Sequence, residues 1–168
     1  MQGRFGGGTH IQQAVDDAAL LFRQEKRSQR RRAVLIITDN MGMRTKSEGS
    51  VVRDFWEADA LLSGLIVPNT TFRALNTAAT VTNPLHLMMS AGMKGIAEKT
   101  GGDSLNANDP GAAFQESMRR IRSRYSLYYA QPEAKSHTMR SIRVELAGEA
   151  AKQHPKARVR ARTGYLVP

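Results

Sequence analysis

The sequence predicts an α/β fold built on a parallel sheet, followed by an antiparallel β extension. Over the first two thirds of the chain, apolar stripes at helical spacing alternate with short apolar runs, as in sheets whose strands are joined by helices. In the last quarter the pattern changes to alternation of apolar and polar residues, which is typical of half-buried strands. We therefore predict an α/β domain over residues 1–124 and a β extension over residues 125–168.

The segment Ala33–Asp39 defines the centre of the predicted sheet. It is an apolar run rich in Val and Ile that ends on a carboxylate, with Arg30–Arg32 before it and Asn40 after it. Such a run predicts a strand over Val34–Thr38, buried on both faces in the middle of a parallel sheet. Ligands of these sheets bind beyond the carboxyl ends of the strands, so Asp39 is the first candidate site residue.

The first helix is predicted from Thr9 to about Ser28. Thr9 fits the N-cap, and Gln12 three residues later completes a Thr-x-x-Gln capping box. The apolar stripe of this helix consists of Ile11, Val15, Ala18 and Phe22. Basic residues near its C-terminal end complement the helix dipole, and the strand follows at once.

A second helix and a second strand are predicted after the polar loop that follows Asp39. Ser50 is the expected N-cap of this helix, and Gly64 is its expected end. The residues expected to face inward are Val51, Val52, Phe55, Ala58 and Leu62. Leu65–Val67 then predicts a short buried strand that is closed by Pro68.

The polar region Asn69–Asn83 is expected to be a loop, with a short helix over Phe72–Ala79 as the alternative. A helix over Leu85–Lys99 follows and should end at Gly101, before a brief strand at Ser104–Asn106. The residues of this helix that we expect to be buried are Leu85, Met88, Met89, Ile96 and Ala97.

The last helix is predicted to begin at Asp109 and Pro110, because a carboxylate N-cap is followed by proline at the first helical position. Its expected inner face consists of Ala113, Phe114, Ser117, Met118 and Ile121, and its expected end lies near Arg124. Three strands should follow, with the inward faces Tyr125, Leu127 and Tyr129, then Ile142, Val144 and Leu146, then Ala157, Val159 and Ala161.

Length and composition restrict the class of protein. A chain of 168 residues suits one domain with a small appendage, and a hydrophobic content of 40% argues for a folded chain. Because there is no cysteine, disulfides and thiolate metal sites are excluded. No apolar run is long enough for a membrane span, and the N-terminus lacks the hydrophobic core of a signal peptide.

The net charge of +10 could attract nucleic acid. Much of the excess lies in two segments, Arg23–Arg32 and Arg158–Arg162. Tyr125, Tyr128 and Tyr129 are near arginines and could stack on bases, but tyrosines are common in half-buried strands. We therefore expect a solvated basic face rather than a nucleic-acid site, and a basic nucleic-acid-binding module is the alternative.

No catalytic constellation is recognisable in the sequence. The four histidines show no metal-ligand spacing, and the sequence contains neither a nucleophile elbow nor a phosphate-binding loop. We expect that the protein is not an enzyme, and we identify no catalytic residue and no organic cofactor.

Thr9 and Asp39 each have a structural and a functional interpretation. Thr9 is an ordinary N-cap, or its hydroxyl and the helix N-terminus face a bound ion. Asp39 caps a turn, or it holds a hard cation such as Mg²⁺ through oxygen. Neither residue decides between these alternatives alone.

Taken together, several motifs resemble the von Willebrand factor A family. Gly7-Gly8-Thr9 before a long helix and Thr38-Asp39 after an apolar strand look like the second and third metal-site loops of that family. Ile96–Gly102 is similar to the helix and turn before its last core strand. The segments Ile121–Tyr129 and Val159–Tyr165 look like a bacterial subgroup, the Acidobacteria-type proteins related to von Willebrand factor A.

The resemblance implies a doubly wound, Rossmann-like fold and a non-enzymatic role in adhesion or complex assembly. In that family a divalent ion at the metal-ion-dependent adhesion site bridges to an acidic group on the protein partner. The family's first metal-site loop, Asp-x-Ser-x-Ser, is absent from this sequence, so only Thr9 and Asp39 are carried over as ligands. Asn40 also stands where the family usually has glycine. We expect Mg²⁺ to bind weakly or not at all.

The missing part of the family's fold has a physical consequence for the sheet. In the family that part supplies the central strand and two neighbours, so Val34–Thr38 would be left as an exposed apolar edge, which is prone to self-association. We therefore expect Met1 to lie inside a longer domain that is truncated at its N-terminus here. The resemblance implies that full-length members are exported to the cell envelope.

Overall fold

The computed structural model describes residues 10–25, 30–42, 44–67 and 92–167. In chain order the elements are α1 (Ile11–Gln24), β1 (Arg32–Thr38), α2 (Glu48–Glu57), β2 (Ala60–Ile66), α3 (Met93–Thr100), β3 (Ser104–Asn106), α4 (Pro110–Arg122), β4 (Met139–Ser141), α5 (Gly148–Gln153) and β5 (Gly164–Leu166). The predictions made for Thr9, for the loop Asn69–Asn83 and for Leu85, Met88 and Met89 lie outside the described residues.

Two separate sheets make up the β structure of the described residues. Strands β1, β2 and β3 form a parallel sheet in that order, and β4 pairs with β5 in an antiparallel sheet. The predicted combination of a parallel α/β sheet and later antiparallel β structure is therefore confirmed, although two strands pair in the later part rather than the three that were expected. Because β1, β2 and β3 are parallel, their carboxyl ends lie at one edge of that sheet.

The strand at the centre of the sheet is β2 rather than β1. Five of the seven residues of β2 are buried, whereas β1 is half-buried and exposes Ile37 to 57%. The prediction that Val34–Thr38 is buried on both faces is therefore wrong. Its expected position at an exposed edge is correct for the described residues, in which β1 pairs only with β2.

The core lies between this sheet and helices α1, α2 and α3. Its fully buried side chains include Ile11, Val15, Val51, Phe55, Leu62, Met93 and Ile96. Leu62 belongs to β2, and the other residues recur at helical spacing on α1, α2 and α3, as expected for apolar stripes. Burial of such side chains contributes about 1.5–3 kcal/mol each and stabilises the sheet against the helices.

The first helix begins and ends inside its predicted limits. His10 is the N-cap of α1, whereas Thr9, the partner of Gln12 in the predicted capping box, lies outside the described residues. The Oε1 atom of the buried Gln12 side chain accepts hydrogen bonds from the backbone N–H groups of Thr45 and Lys46. At the other end Glu25 is extended, with φ −74° and ψ 144°, so the helix does not continue to Ser28.

The second helix is also shorter than predicted. Ser47 rather than Ser50 is its N-cap, and the Ser47 hydroxyl accepts a hydrogen bond from the Ser50 N–H. The helix ends at Glu57, because Asp59 adopts a left-handed conformation with φ 49°. Gly64 therefore lies within β2 and does not end the helix. Leu62 has helical spacing to the preceding apolar residues but is buried as part of the strand.

Helices α3 and α4 follow the prediction in part. The prediction of a continuous helix over Leu85–Lys99 is wrong, because Gly92 precedes α3 in a left-handed conformation with φ 72°. The end of α3 at Gly101, with φ 89°, is as predicted. Asp109 caps α4 by accepting hydrogen bonds from two backbone N–H groups, as expected, but Phe114 is 44% exposed and does not face inward.

The strands of the C-terminal region lie elsewhere than predicted. Residues 124–138 contain neither helix nor strand, so the expected strand with Tyr125, Leu127 and Tyr129 is wrong. Strand β4 ends before Ile142, and strand β5 begins after Ala161. Helix α5 was not predicted. Alternation of apolar residues indicates which side chains share a face, but pairing partners decide where a strand forms.

The C-terminal segment packs against α2 and α3. The carbonyl oxygen of Lys99 accepts hydrogen bonds from Trp56 Nε1 at 3.1 Å and from the Thr163 N–H at 3.0 Å. At Gly164 an added Cβ would stand 2.5 Å from the Trp56 ring, so only glycine permits this approach. Among the helices that the structure describes, none is both long enough and apolar enough to cross a membrane.

Candidate functional site at the carboxyl edge of the sheet

Asp39 lies at the carboxyl end of β1, as predicted, and its side chain is exposed. Its Oδ1 atom accepts a hydrogen bond from the Met41 N–H at 3.0 Å. This bond is an Asx turn, the structural role that the sequence allows for this residue. Asp39 thus stabilises the turn after β1 while its carboxylate faces solvent.

Asn40 connects this turn to the start of α3. It adopts a left-handed conformation with φ 59°, and its N–H donates to Thr38 Oγ1 at 3.1 Å. Its Oδ1 atom accepts a hydrogen bond from the Met93 N–H, an N-terminal donor of α3, at 3.3 Å. In the sequence Asn40 is only a departure from the pattern of the family that the motifs resemble. The signal for its structural role is the tolerance of asparagine for the left-handed region.

A buried amide holds the loop that follows this turn. Gln12 is 1% exposed, and its Oε1 atom accepts hydrogen bonds from Thr45 N at 2.7 Å and from Lys46 N at 3.0 Å. The Lys46 ammonium forms an ion pair with Asp16 on α1. The loop is therefore fixed to α1 by one buried and one solvent-accessible contact.

Two carboxyl groups meet beside this loop. Burial, the hydrogen bond with Asp16 and the charge of Asp16 raise the pKa of Asp54. Burial tends to raise the pKa of Asp16. Hydrogen bonds with Lys46 and Asp54 act in the opposite direction, and the pKa of Asp16 is lowered on balance. The pair therefore holds a proton on Asp54 more readily than on Asp16, as expected for like charges in contact.

The described residues alone do not complete a metal site. Thr9, the other predicted ligand, lies outside them, and Asp39 is the one predicted ligand that they contain. Within residues 10–25, 30–42, 44–67 and 92–167, no group of three or more His, Asp or Glu side chains is placed to hold a metal ion. Hard cations such as Mg²⁺ prefer about six oxygen ligands, so one exposed carboxylate does not fit the ion.

The two basic segments singled out in the sequence converge at the opposite edge of the sheet, where the strands begin. Arg31 contacts the carbonyl oxygen of Arg124, Arg160 pairs with Asp103 at 3.4 Å, and Arg162 pairs with Asp59. Asp59 and Asp103 directly precede β2 and β3. The tertiary structure therefore unites positive charges that are more than a hundred residues apart in the sequence.

Part of this positive charge stabilises helix ends. Arg32 donates through Nη1 to the carbonyl oxygens of Phe22 at 2.8 Å and Ala58 at 3.1 Å. These carbonyls lie at the C-terminal ends of α1 and α2, where the helix dipole favours a cation. The guanidinium also lies over the Phe22 ring, 5.6 Å from its centroid.

Comparisons of the chain with protein-family models, with curated proteins and with solved structures find no match.

Proposed function

We propose that this chain is a non-enzymatic protein-binding module of the von Willebrand factor A type, with an incomplete metal-ion-dependent adhesion site. It would act in adhesion or in the assembly of a complex, with an acidic group on the partner as the contact. Thr9 and Asp39 are the ligands that this chain contributes to the site in the proposal.

The observation that carries the proposal is the position of Asp39. Its exposed carboxylate stands at the carboxyl end of a strand in a parallel sheet, where α/β proteins bind their ligands. The edge position of β1 among the described strands also agrees with a fold in which further strands stand beside it. In the proposal this edge, on which Ile37 is exposed, is a surface for strand pairing or self-association.

Binding of an acidic peptide tests the proposal. The probe is a fluorescein-labelled peptide of Asp and Glu residues, and its anisotropy is measured with the full chain in Mg²⁺ or in EDTA. High salt suppresses the general attraction of a chain with net charge +10 for any anion. We expect weak binding that requires Mg²⁺ and is lost in Asp39→Ala but retained in Asp17→Ala, an exposed carboxylate on α1. Binding that survives both EDTA and Asp39→Ala would contradict the proposal.

Calorimetric titration with Mg²⁺ tests whether the site is incomplete. The chain alone is expected to show no micromolar Mg²⁺ site, because Asp39 and Thr9 supply too few ligands. A micromolar site that disappears in Asp39→Ala would show that other residues of this chain complete the coordination sphere.

A further inference from the structure

Residues 124–129, which follow α4, form a segment that is held at both of its ends. At its start, Arg31 Nη1 donates to the carbonyl oxygen of Arg124. At its end, the ring of Tyr129 stands edge-on to the ring of Tyr165 in β5, with centroids 6.0 Å apart and an interplanar angle of 69°. Such edge-to-face pairs contribute about 0.5–1.5 kcal/mol beyond the buried area. The segment is therefore a positioned part of the surface although it has no regular secondary structure.

Between these two anchors the segment presents aromatic rings to solvent. Tyr125 is 92% exposed and Tyr128 is 91% exposed, and Leu127 between them is 68% exposed. The prediction of a half-buried strand argued against nucleic-acid binding at these tyrosines, but no strand forms there. Aromatic side chains that are almost fully exposed at nearby positions of one segment indicate an interaction surface.

Guanidinium groups outnumber carboxylates where this segment begins. Asp103 is shared between Arg120 and Arg160, whose Nε atom is 3.4 Å from Asp103 Oδ1, and Arg120 also pairs with Glu116 at 2.7 Å. Arg31 and Arg124 add two further positive charges, and both donate to backbone carbonyl oxygens. These four arginines and two carboxylates leave an excess of positive charge beside Tyr125.

The excess of positive charge affects the pKa of Arg124. Burial lowers the pKa of its guanidinium, and the neighbouring charges of Arg160 and Arg31 lower it further, against the opposing attraction of Asp103. Its Nη1 atom donates to the Gly101 carbonyl oxygen, whereas its buried Nε atom has no hydrogen-bond partner in the part of the chain that the structure describes. An anion beside this cluster would offset the repulsion among the guanidinium groups.

We propose that this surface binds single-stranded nucleic acid. Backbone phosphates would lie against the guanidinium groups of Arg31, Arg124 and Arg160, and bases would stack on Tyr125 and Tyr128. Arginine forks match the geometry of phosphate oxygens, and tyrosine rings accept any base on their faces. A duplex fits poorly, because its bases are already stacked on one another. This site is separate from Asp39 and needs no metal ion.

Anisotropy with a fluorescein-labelled oligothymidine tests this proposal on the full chain, in the presence of EDTA so that Asp39 plays no part. We expect the single strand to bind more tightly than a duplex of equal length or than polyglutamate. The double variant Tyr125→Ala/Tyr128→Ala should weaken binding by at least about tenfold, because each stacked base contributes about 1–3 kcal/mol. Leu127→Ala, an exposed residue of the same segment, is the matched control and should bind as the wild type does.

The arginines are tested through the salt dependence of binding. Arg160→Ala should weaken binding and reduce the slope of the logarithm of affinity against the logarithm of salt concentration by about 0.7, the value for one phosphate contact on a single strand. Arg143→Ala, whose side chain is 85% exposed beside Glu145, should leave the slope unchanged.

Two outcomes would overturn the proposal. One is equal affinity of the wild type and the double tyrosine variant for oligothymidine, when circular dichroism shows that both are folded. The other is equal affinity of the wild type for the single strand and for polyglutamate, which would mean a general attraction for polyanions.

Discussion

Gly102 is the residue at which the structure predicts the most damaging small substitution. A Cβ at this position would stand 1.6 Å from the carbonyl oxygen of Leu62 and 2.5 Å from its carbonyl carbon, in the central strand β2. Real Cβ atoms essentially never approach closer than 3.0 Å, so Gly102→Ala forces the two backbones at least 1.4 Å further apart. No change of rotamer relieves this contact, because both groups belong to the backbone.

Moving the two backbones apart would weaken the hydrogen bonds around them and so lower the free energy of unfolding. The hydrogen bonds beside the contact include Gly102 N–H to the Ala97 carbonyl at 2.7 Å, Gly64 N–H to the Asp103 carbonyl at 2.8 Å and Leu62 N–H to Thr100 Oγ1 at 3.0 Å. Loss of one such bond costs about 1 kcal/mol, and forced overpacking costs about 1–3 kcal/mol. We therefore expect Gly102→Ala to lower the free energy of unfolding by about 3 kcal/mol.

Thermal unfolding followed by circular dichroism measures this loss. For a domain of this size, about 3 kcal/mol corresponds to a fall in Tm of about 6–12 °C. Gly49→Ala in α2 is the matched control, because a Cβ there meets nothing within 4 Å. That control should raise the stability by up to about 1 kcal/mol, since alanine favours the helix. If Gly102→Ala unfolds at the wild-type temperature, the close approach of the two backbones is not as described.

Two further predictions concern the contacts beside the candidate site. Gln12→Ala removes a buried acceptor from two backbone N–H groups, so it should lower the free energy of unfolding by about 1–2 kcal/mol in urea denaturation. The control Gln13→Ala, at an exposed position of the same helix, should change this free energy by less than about 0.5 kcal/mol. Because the pKa of Asp54 is raised in the folded state, its ionised form lowers the stability of the fold. The free energy of unfolding therefore rises as the pH falls through that pKa and Asp54 takes up a proton. Asp54→Asn keeps a hydrogen-bonding group beside Asp16 without the charge. It should therefore unfold at a higher temperature than the wild type near neutral pH, with a difference that shrinks toward about pH 4, and a constant difference across this range would contradict the assignment.

The local signals of the sequence predicted several features correctly. The apolar run after the arginines gave β1, with Asp39 at its carboxyl end, and the Asp109-Pro110 pair gave the start of α4. The glycine at position 101 marked the end of α3. These features depend on residues that are adjacent in the chain, so that a cap, a left-handed glycine or an apolar run is sufficient to define them.

Errors arose where a residue's role depends on a distant partner. Gln12 has the spacing of a capping box, but its amide bonds to a loop that the sequence places after the next strand. Gly64 has the signal of a helix terminator because glycine often is one, but the turn is made by Asp59, whose tolerance for the left-handed region is a weaker signal than that of glycine. In both cases a tertiary contact or a strand pairing overrode the local preference.

The candidate sites likewise contain some features that the sequence determines and others that depend on distant contacts. The sequence by itself determined the α/β class, the parallel sheet and the place of Asp39, because hydrophobic periodicity and chain connectivity encode them. Only the tertiary structure showed that Asn40 joins β1 to α3 and that Arg31 and Arg160 approach Arg124. It alone showed that Tyr125 is fully exposed. Periodicity specifies which side chains share a face, whereas the neighbour that covers a face, or leaves it open, is decided by how distant segments pack.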